Sequence, residues 1–353
     1  MSKELVEAVE AKIREKLGND NVKWCSDVDL EIIEDKRTVV IAITDANYKE
    51  NMQKDEACFE GWALALKTYF LDGDYDIVEL KCDKILVPAK GKLDKDFGKG
   101  FDHSNRFLYR ALRFSEQYKD WFRLETHLQE KVERFKKYLD KHKEKLLNNV
   151  PNEEASKVAV DVLSEKLVES LIAANPTMLK PVFKNENVSD DVWKNNLTVA
   201  QQLPVGLFEG KVETENRVFP GRTAAIDLWA YHTLQPNEFY IFELKFQNKM
   251  LGIISEIFFY ANYMYDLLTY NGCFKLSESR KKKSRRGYNK IKECNNRIDT
   301  VNAVMLADKG NMHPAITKEL LEVLNEKQGV SINYLRAEYE AEIKFIGNID
   351  VSK

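Results

Sequence analysis

The sequence predicts a mixed α/β fold in two halves, and three observations carry that prediction. Apolar spacing switches repeatedly between the period of a strand and the period of a helix, in both halves. A proline-centred polar break, NNVPNEE (148–154), separates the halves. Beyond it the segments run helix, three strands, helix, strand, helix, strand, an order that asks for a sheet with helices against its faces. At 353 residues, 44% hydrophobic and 31% charged, the chain is long enough for two ordinary domains and can bury a core in each.

The first 95 residues predict a small α/β domain for recognition or regulation: a helix from Glu4 to Leu17, strands in DVDLEII and RTVVIAIT, a helix through CFEGWALALKTYFL and a strand in YDIVELKC. An exposed connection, AKGKLDKDFGKG, follows. Residues 96–150 predict a helical connector from about Asn105 to Asn148. Its second part sets Leu124, Leu128, Val132, Phe135, Leu139 and Leu146 on one stripe, either a face packed on the protein or a dimerising helix. Residues 151–353 form the remaining domain. A helix through EEASKVAVDVLSEKLVESLIAAN stops at Pro176, and VGLFEGKV, TAAIDLWAYH and FYIFELKFQNK supply three strands. A long apolar helix (Leu251–Leu268), the strand DTVNAVMLAD, a helix opened by Pro314 and the strand VSINYLR complete it.

The formal charge of −3 means that any affinity for nucleic acid must come from a local patch. Cys25, Cys58, Cys82, Cys273 and Cys294 form no CxxC pair, and the five histidines have no metal-ligand spacing. Reduced thiols, a cytoplasmic setting and no structural zinc are expected. The charged N-terminus lacks the apolar region of a signal peptide. The most apolar segment, MLGIISEIFFYANYMYDLL, is interrupted by Glu256, Asn262 and Asp266, which predicts a core helix and no membrane partner.

In FYIFELKFQNK a strand with the composition of core carries Glu243 and Lys245 on one face, opposite Phe242, Leu244 and Phe246. Buried charges demand partners. The preceding strand holds its own acid, Asp227, and two carboxylates on neighbouring strands are tolerable when a divalent cation sits between them. Magnesium takes hard oxygen ligands and leaves positions for water and phosphate. A lysine beside it can orient an attacking water and offset charge on the transition state, which together is an apparatus for phosphodiester hydrolysis.

Asp227 followed sixteen positions later by Glu243-Leu244-Lys245, in the order strand, strand, helix, resembles the PD-(D/E)XK nuclease superfamily of restriction enzymes, junction resolvases and RecB-like nucleases. The resemblance covers about 155–336. It implies a restriction-endonuclease-like mixed β-sheet core flanked by helices, with Asp227 and Glu243 as metal ligands, Lys245 in catalysis, and magnesium, or manganese in its place, as cofactor. In that family the first helix often adds a Glu to the metal site. Glu165 is favoured here, with Glu169 and Glu209 as alternatives. Glu256 and Tyr260 match a Gln and Tyr pair of RecB-like nucleases, with Glu in place of Gln. A second ELK, Glu79-Leu80-Lys81, lacks the preceding acid and the following apolar helix and is set aside as chance.

For a phosphate backbone the sequence offers Lys249 and the run SRKKKSRRGYNKIK, with Arg280, Lys281, Lys282, Lys283, Arg285 and Arg286, and Tyr288 for stacking. The expected activity is a magnesium-dependent DNA endonuclease of restriction or phage defence, homodimeric if it cuts both strands. The alternatives are an RNA-cleaving nuclease and a catalytically silent nucleic-acid-binding protein. A third reading is an assembly protein whose charged trio is only a buried ion network.

Overall fold

The fold comes from a computed structural model, which describes residues 3–71, 73–87, 97, 100–151, 163–183, 188–221, 224–278, 286–342, 345–346 and 349–352. In chain order the first part forms α1 (Lys3–Leu17), β1 (Val28–Ile33), β2 (Thr38–Ile43), α2 (Phe59–Ala65), β3 (Ile77–Lys81), α3 (Asp102–Gln117), β4 (Phe122–Leu124) and α4 (Thr126–His142). The middle forms β5 (Leu146–Asn148), α5 (Glu165–Ala174), α6 (Asp190–Asn196), β6 (Leu197–Pro204), β7 (Leu207–Glu209), β8 (Arg217–Phe219), β9 (Ala225–His232) and β10 (Glu238–Lys245). The remainder forms α7 (Ile253–Leu268), α8 (Tyr288–Cys294), β11 (Thr300–Asp308), α9 (Lys318–Asn325), β12 (Ile332–Tyr339), β13 (Ala341–Glu342), β14 (Phe345–Ile346) and β15 (Asp350–Ser352). The class is mixed α/β, and the chain divides into two compact units.

The first unit takes Met1–His142, Met250–Glu256 and His313–Val330. Its sheet has the order β1-β2-β3-β4, antiparallel between β1 and β2 and parallel thereafter. Strand β2 is buried along nearly its whole length, as its continuous apolar sequence TVVIAI requires. All of α2 is buried, and the carboxylate of Glu60 within it is held by the Arg110 guanidinium and by Ser255 Oγ at 2.6 Å. That burial is tolerable because both charges find partners.

The stretch expected as a connector, 96–150, is not one element. Strand β4 interrupts it and pairs in parallel with β3, so α3 and α4 belong to the first unit. Leu128, Val132, Phe135 and Leu139 lie in its core at no more than 3% exposure, while Leu124 and Leu146 fall in β4 and β5. Helical spacing alone cannot distinguish a face packed at home from a dimer seam. Here Phe97 packs its ring on Phe135 and Tyr138, and the stripe is unavailable for dimerisation.

The second unit takes Lys143–Lys249, Ile257–Met312 and Ser331–Lys353. Its main sheet has the order β15-β12-β11-β10-β9-β6. Strands β6, β9 and β10 are antiparallel neighbours, β10, β11 and β12 are parallel, and β15 closes the edge antiparallel to β12. The short 233–237 link suits an antiparallel step, and the longer links on either side of β11 suit parallel ones. Central β10 therefore has a strand on each side and is buried from Phe239 onward. On one face Phe242 and Leu244 join Val168 and Ile172 of α5, Leu228, Ala230, Val304, Leu306 and Tyr339 in the core.

Three strands do precede α7 in this sheet, although the first is not VGLFEGKV. Residues Leu207–Glu209 of that run instead join β5 and β8 in a small three-stranded sheet. The sheet's own edge strand is β6, LTVAQQLP, whose Gln pair and terminal proline hide it from a search for apolar alternation. Among the described residues no helix is long and apolar enough to cross a membrane.

Candidate metal centre

The candidate centre forms where β10 leaves its ladder with β9. The last paired residues there are Phe242 and Leu228. One step further, the backbone N–H of Leu244 donates to Asp227 Oδ2 at 2.9 Å instead of to a strand carbonyl. Asp227 is thereby fixed at the end of β9, 8% exposed.

Helix α5 brings two more acids. Ser164 caps its N-terminus, its hydroxyl accepting from Leu167 N, which sets Glu165 in the first turn. Glu169 follows one turn later on the same face and is buried. One carboxylate oxygen from each of Glu165, Glu169 and Asp227 lies within 4.8 Å of the others. Three convergent hard oxygens, two of them on buried side chains, could hold a metal ion.

The electrostatics point the same way. Burial, and next the Asp227 carboxylate, push the Glu169 carboxyl up to about 8, although a hydrogen bond from Gln202 works in the opposite direction. A divalent cation would relieve both the desolvation and the repulsion.

Gln202 is the residue in this group that sequence reading missed. The flanking pairs Gln201↔Leu228 and Leu203↔Ile226 leave it across from Asp227, and its φ of 54° lies in the left-handed region. Its side-chain amide donates to Glu169 Oε2 at 2.8 Å and to Asp227 Oδ1 at 3.2 Å. Its backbone carbonyl accepts from Arg286 Nη1. Tyr339 was missed as well: its hydroxyl donates to the Lys245 carbonyl at 3.2 Å. Its pKa is raised by burial and then by the carboxylates of Asp308, Glu165 and Asp227. The strand that carries it runs three residues beyond VSINYLR.

Glu243 and Lys245 share a face, as the alternation of β10 predicts, and are joined to each other. Lys245 Nζ donates to Glu243 Oε1 at 2.8 Å, with both side chains 3% exposed. Glu243, expected as a ligand, is not in the converging trio; Glu165, the favoured helix acid, and Glu169, its alternative, both are. Glu209 sits on β7 in the three-stranded sheet and is not in the trio either.

Of the residues expected to touch nucleic acid, Lys249 is exposed just beyond β10. Glu256 and Tyr260 are each 3% exposed on α7, so neither is presented to a polymer. Tyr288 is 1% exposed, with its hydroxyl bonded to Asn148 Oδ1 at 2.9 Å and the Ser277 carbonyl at 3.0 Å. It packs as core and has no free face for a base. Arg286 adjoins Gln202, while Arg280, Lys281, Lys282, Lys283 and Arg285 lie outside the described residues.

The first ELK behaves differently from the second. Glu79 pairs with Arg123 at 2.7 Å and Lys81 with Asp83 at 3.8 Å, with Arg123 and Lys81 more than a third exposed. These are solvated ion pairs. Comparison of the chain with protein-family models, with curated proteins and with solved structures gives no match in any of the three.

Proposed function

We propose that the protein is a divalent-cation-dependent phosphodiesterase acting on nucleic acid, an endonuclease of PD-(D/E)XK type with DNA as its substrate. The observation that carries this reading is the meeting of Asp227, Glu165 and Glu169 where β10 parts from β9, with Glu243 and Lys245 on that same strand end. The order of β6, β9, β10, α7 and β11, with β11 parallel to β10, agrees with a restriction-endonuclease-like core.

In this reading Glu165, Glu169 and Asp227 hold the cation, magnesium or manganese. When bound it would supply a Lewis acid for the scissile phosphate and lower the pKa of a coordinated water. Lys245 offers an ammonium that positions the attacking water or meets charge developing on the phosphate, and Glu243 steers that ammonium through their ion pair. Arg286 and the basic run before it attract the phosphate backbone, an interaction weakened by salt. A role in restriction or phage defence belongs to the same proposal.

One observation favours a second reading. The Glu243 and Lys245 side chains pair with each other at 2.8 Å and are buried, as a retained but silent nucleic-acid-binding fold would have them. Incubating plasmid, linear duplex, single-stranded DNA and RNA with the protein in magnesium, manganese and calcium separates the two. Cleavage of DNA in magnesium or manganese is the expected result. Cleavage of RNA alone would move the substrate, and binding of every polymer without cleavage would favour the silent protein.

A further inference from the structure

We infer that Gln202 is a positioning residue whose side-chain amide occupies the place between Glu169 and Asp227 that a divalent cation takes, so that the cation must displace it. This rests on the metal-centre reading above and adds what controls entry to it.

Three observations meet at this residue. Its amide nitrogen donates to both carboxylates, to Glu169 Oε2 at 2.8 Å and to Asp227 Oδ1 at 3.2 Å, spending both of its hydrogens on them. Those are two of the three side chains whose oxygens converge within 4.8 Å. The backbone that delivers the amide is held in an unfavourable conformation, φ 54° at a non-glycine residue inside a strand, with its carbonyl bonded to Arg286. Such strain persists only where the surroundings enforce it.

The chemistry of the amide explains why a neutral group stands there. Two buried carboxyl groups this close repel once both are ionised, and a donor pointing a hydrogen at each lowers that repulsion without adding charge. The amide therefore ties Glu169 and Asp227 to each other. A cation that takes Glu169 Oε2 and Asp227 Oδ1 as ligands cannot coexist with N–H groups aimed at those oxygens, and binding there must break both hydrogen bonds. Hydrogen bonds to charged groups are strong enough that losing two of them weakens cation binding by roughly tenfold or more.

The test is calorimetric titration of wild type, Gln202→Leu and Gln202→Gly with manganese and with calcium, alongside the cation-induced rise in Tm. Leu keeps the volume and removes the donor, while Gly suits the positive φ and decides the matter if the Leu variant does not fold. Roughly tenfold or more tighter binding in the variants, with a larger cation-induced Tm rise, is the expected result. Binding by the variants where wild type binds nothing measurable would support the inference equally. Unchanged or weaker binding in the variants, with wild type binding normally, would overturn it and leave the metal centre standing. No binding by any of the three proteins would overturn both.

Discussion

The backbone N–H of Leu244 donates to the Asp227 side chain at 2.9 Å, at the point where the β9–β10 ladder ends. This bond makes Asp227 both a candidate ligand and a structural brace. Asp227→Asn removes the charge and keeps one acceptor oxygen, enough for the Leu244 N–H or the Gln202 amide and not for both, so the fold should lose about 1 to 3 kcal/mol. Glu169, relieved of its neighbour's charge, should titrate lower than in wild type, as side-chain NMR would record. An unchanged Glu169 would mean that burial alone sets its pKa.

Stability should fall as pH rises across the interval from about 5 to about 8. The ordinary carboxyl value of Glu169 is 4.5 and its folded value is raised to about 8, so the folded chain keeps a proton that the unfolded chain has lost. Folding is then favoured at the acid end of this window, and the contribution is lost as pH climbs through the folded pKa. Denaturant titrations of Glu169→Gln should show this slope flattened. Saturating magnesium should flatten it in wild type too, since the bound carboxylate stays ionised.

The Glu243–Lys245 pair should behave as a buried ion pair. Lys245→Met leaves a buried carboxylate without its ammonium and should destabilise the protein by about 3 kcal/mol. Glu243→Leu combined with Lys245→Met removes both charges and should recover most of that loss. Chemical denaturation of the two single variants and the double variant measures the coupling directly.

The two ELK tripeptides should separate cleanly by experiment. Glu79→Gln touches a pair whose arginine is 41% exposed, so it should change stability by less than about 1 kcal/mol and leave catalysis alone. Glu243→Gln should abolish cleavage. Similar activity in the two variants would remove the reason for assigning the chemistry to the second copy.

Strand and helix spacing made most of the elements legible, because β10 and α7 are long and strongly apolar. The pairing of Asp227 with the ELK strand was legible for the same reason: only a buried strand makes an acid conspicuous. What escaped depended on tertiary pairing. Strand β6 is an edge whose Gln-Gln gives no apolar period, so neither the strand nor Gln202 stood out. Glu165 and Glu169 are one turn apart, and the sequence cannot say that both reach Asp227. Tyr288 sits in a basic run and looked like a stacking platform, yet Asn148, distant in sequence, claims its hydroxyl. Of the expected stripe only Leu128, Val132, Phe135 and Leu139 fall on α4, where they pack within the same unit, while Leu124 and Leu146 belong to strands.

The most direct measurement is single-turnover cleavage of end-labelled duplex DNA in magnesium by wild type and Asp227→Asn, with binding of both followed in calcium. The account predicts cleavage by wild type, a loss of at least about a hundredfold in rate for the variant, and comparable binding by the two. Equal cleavage by Asp227→Asn and wild type would contradict it.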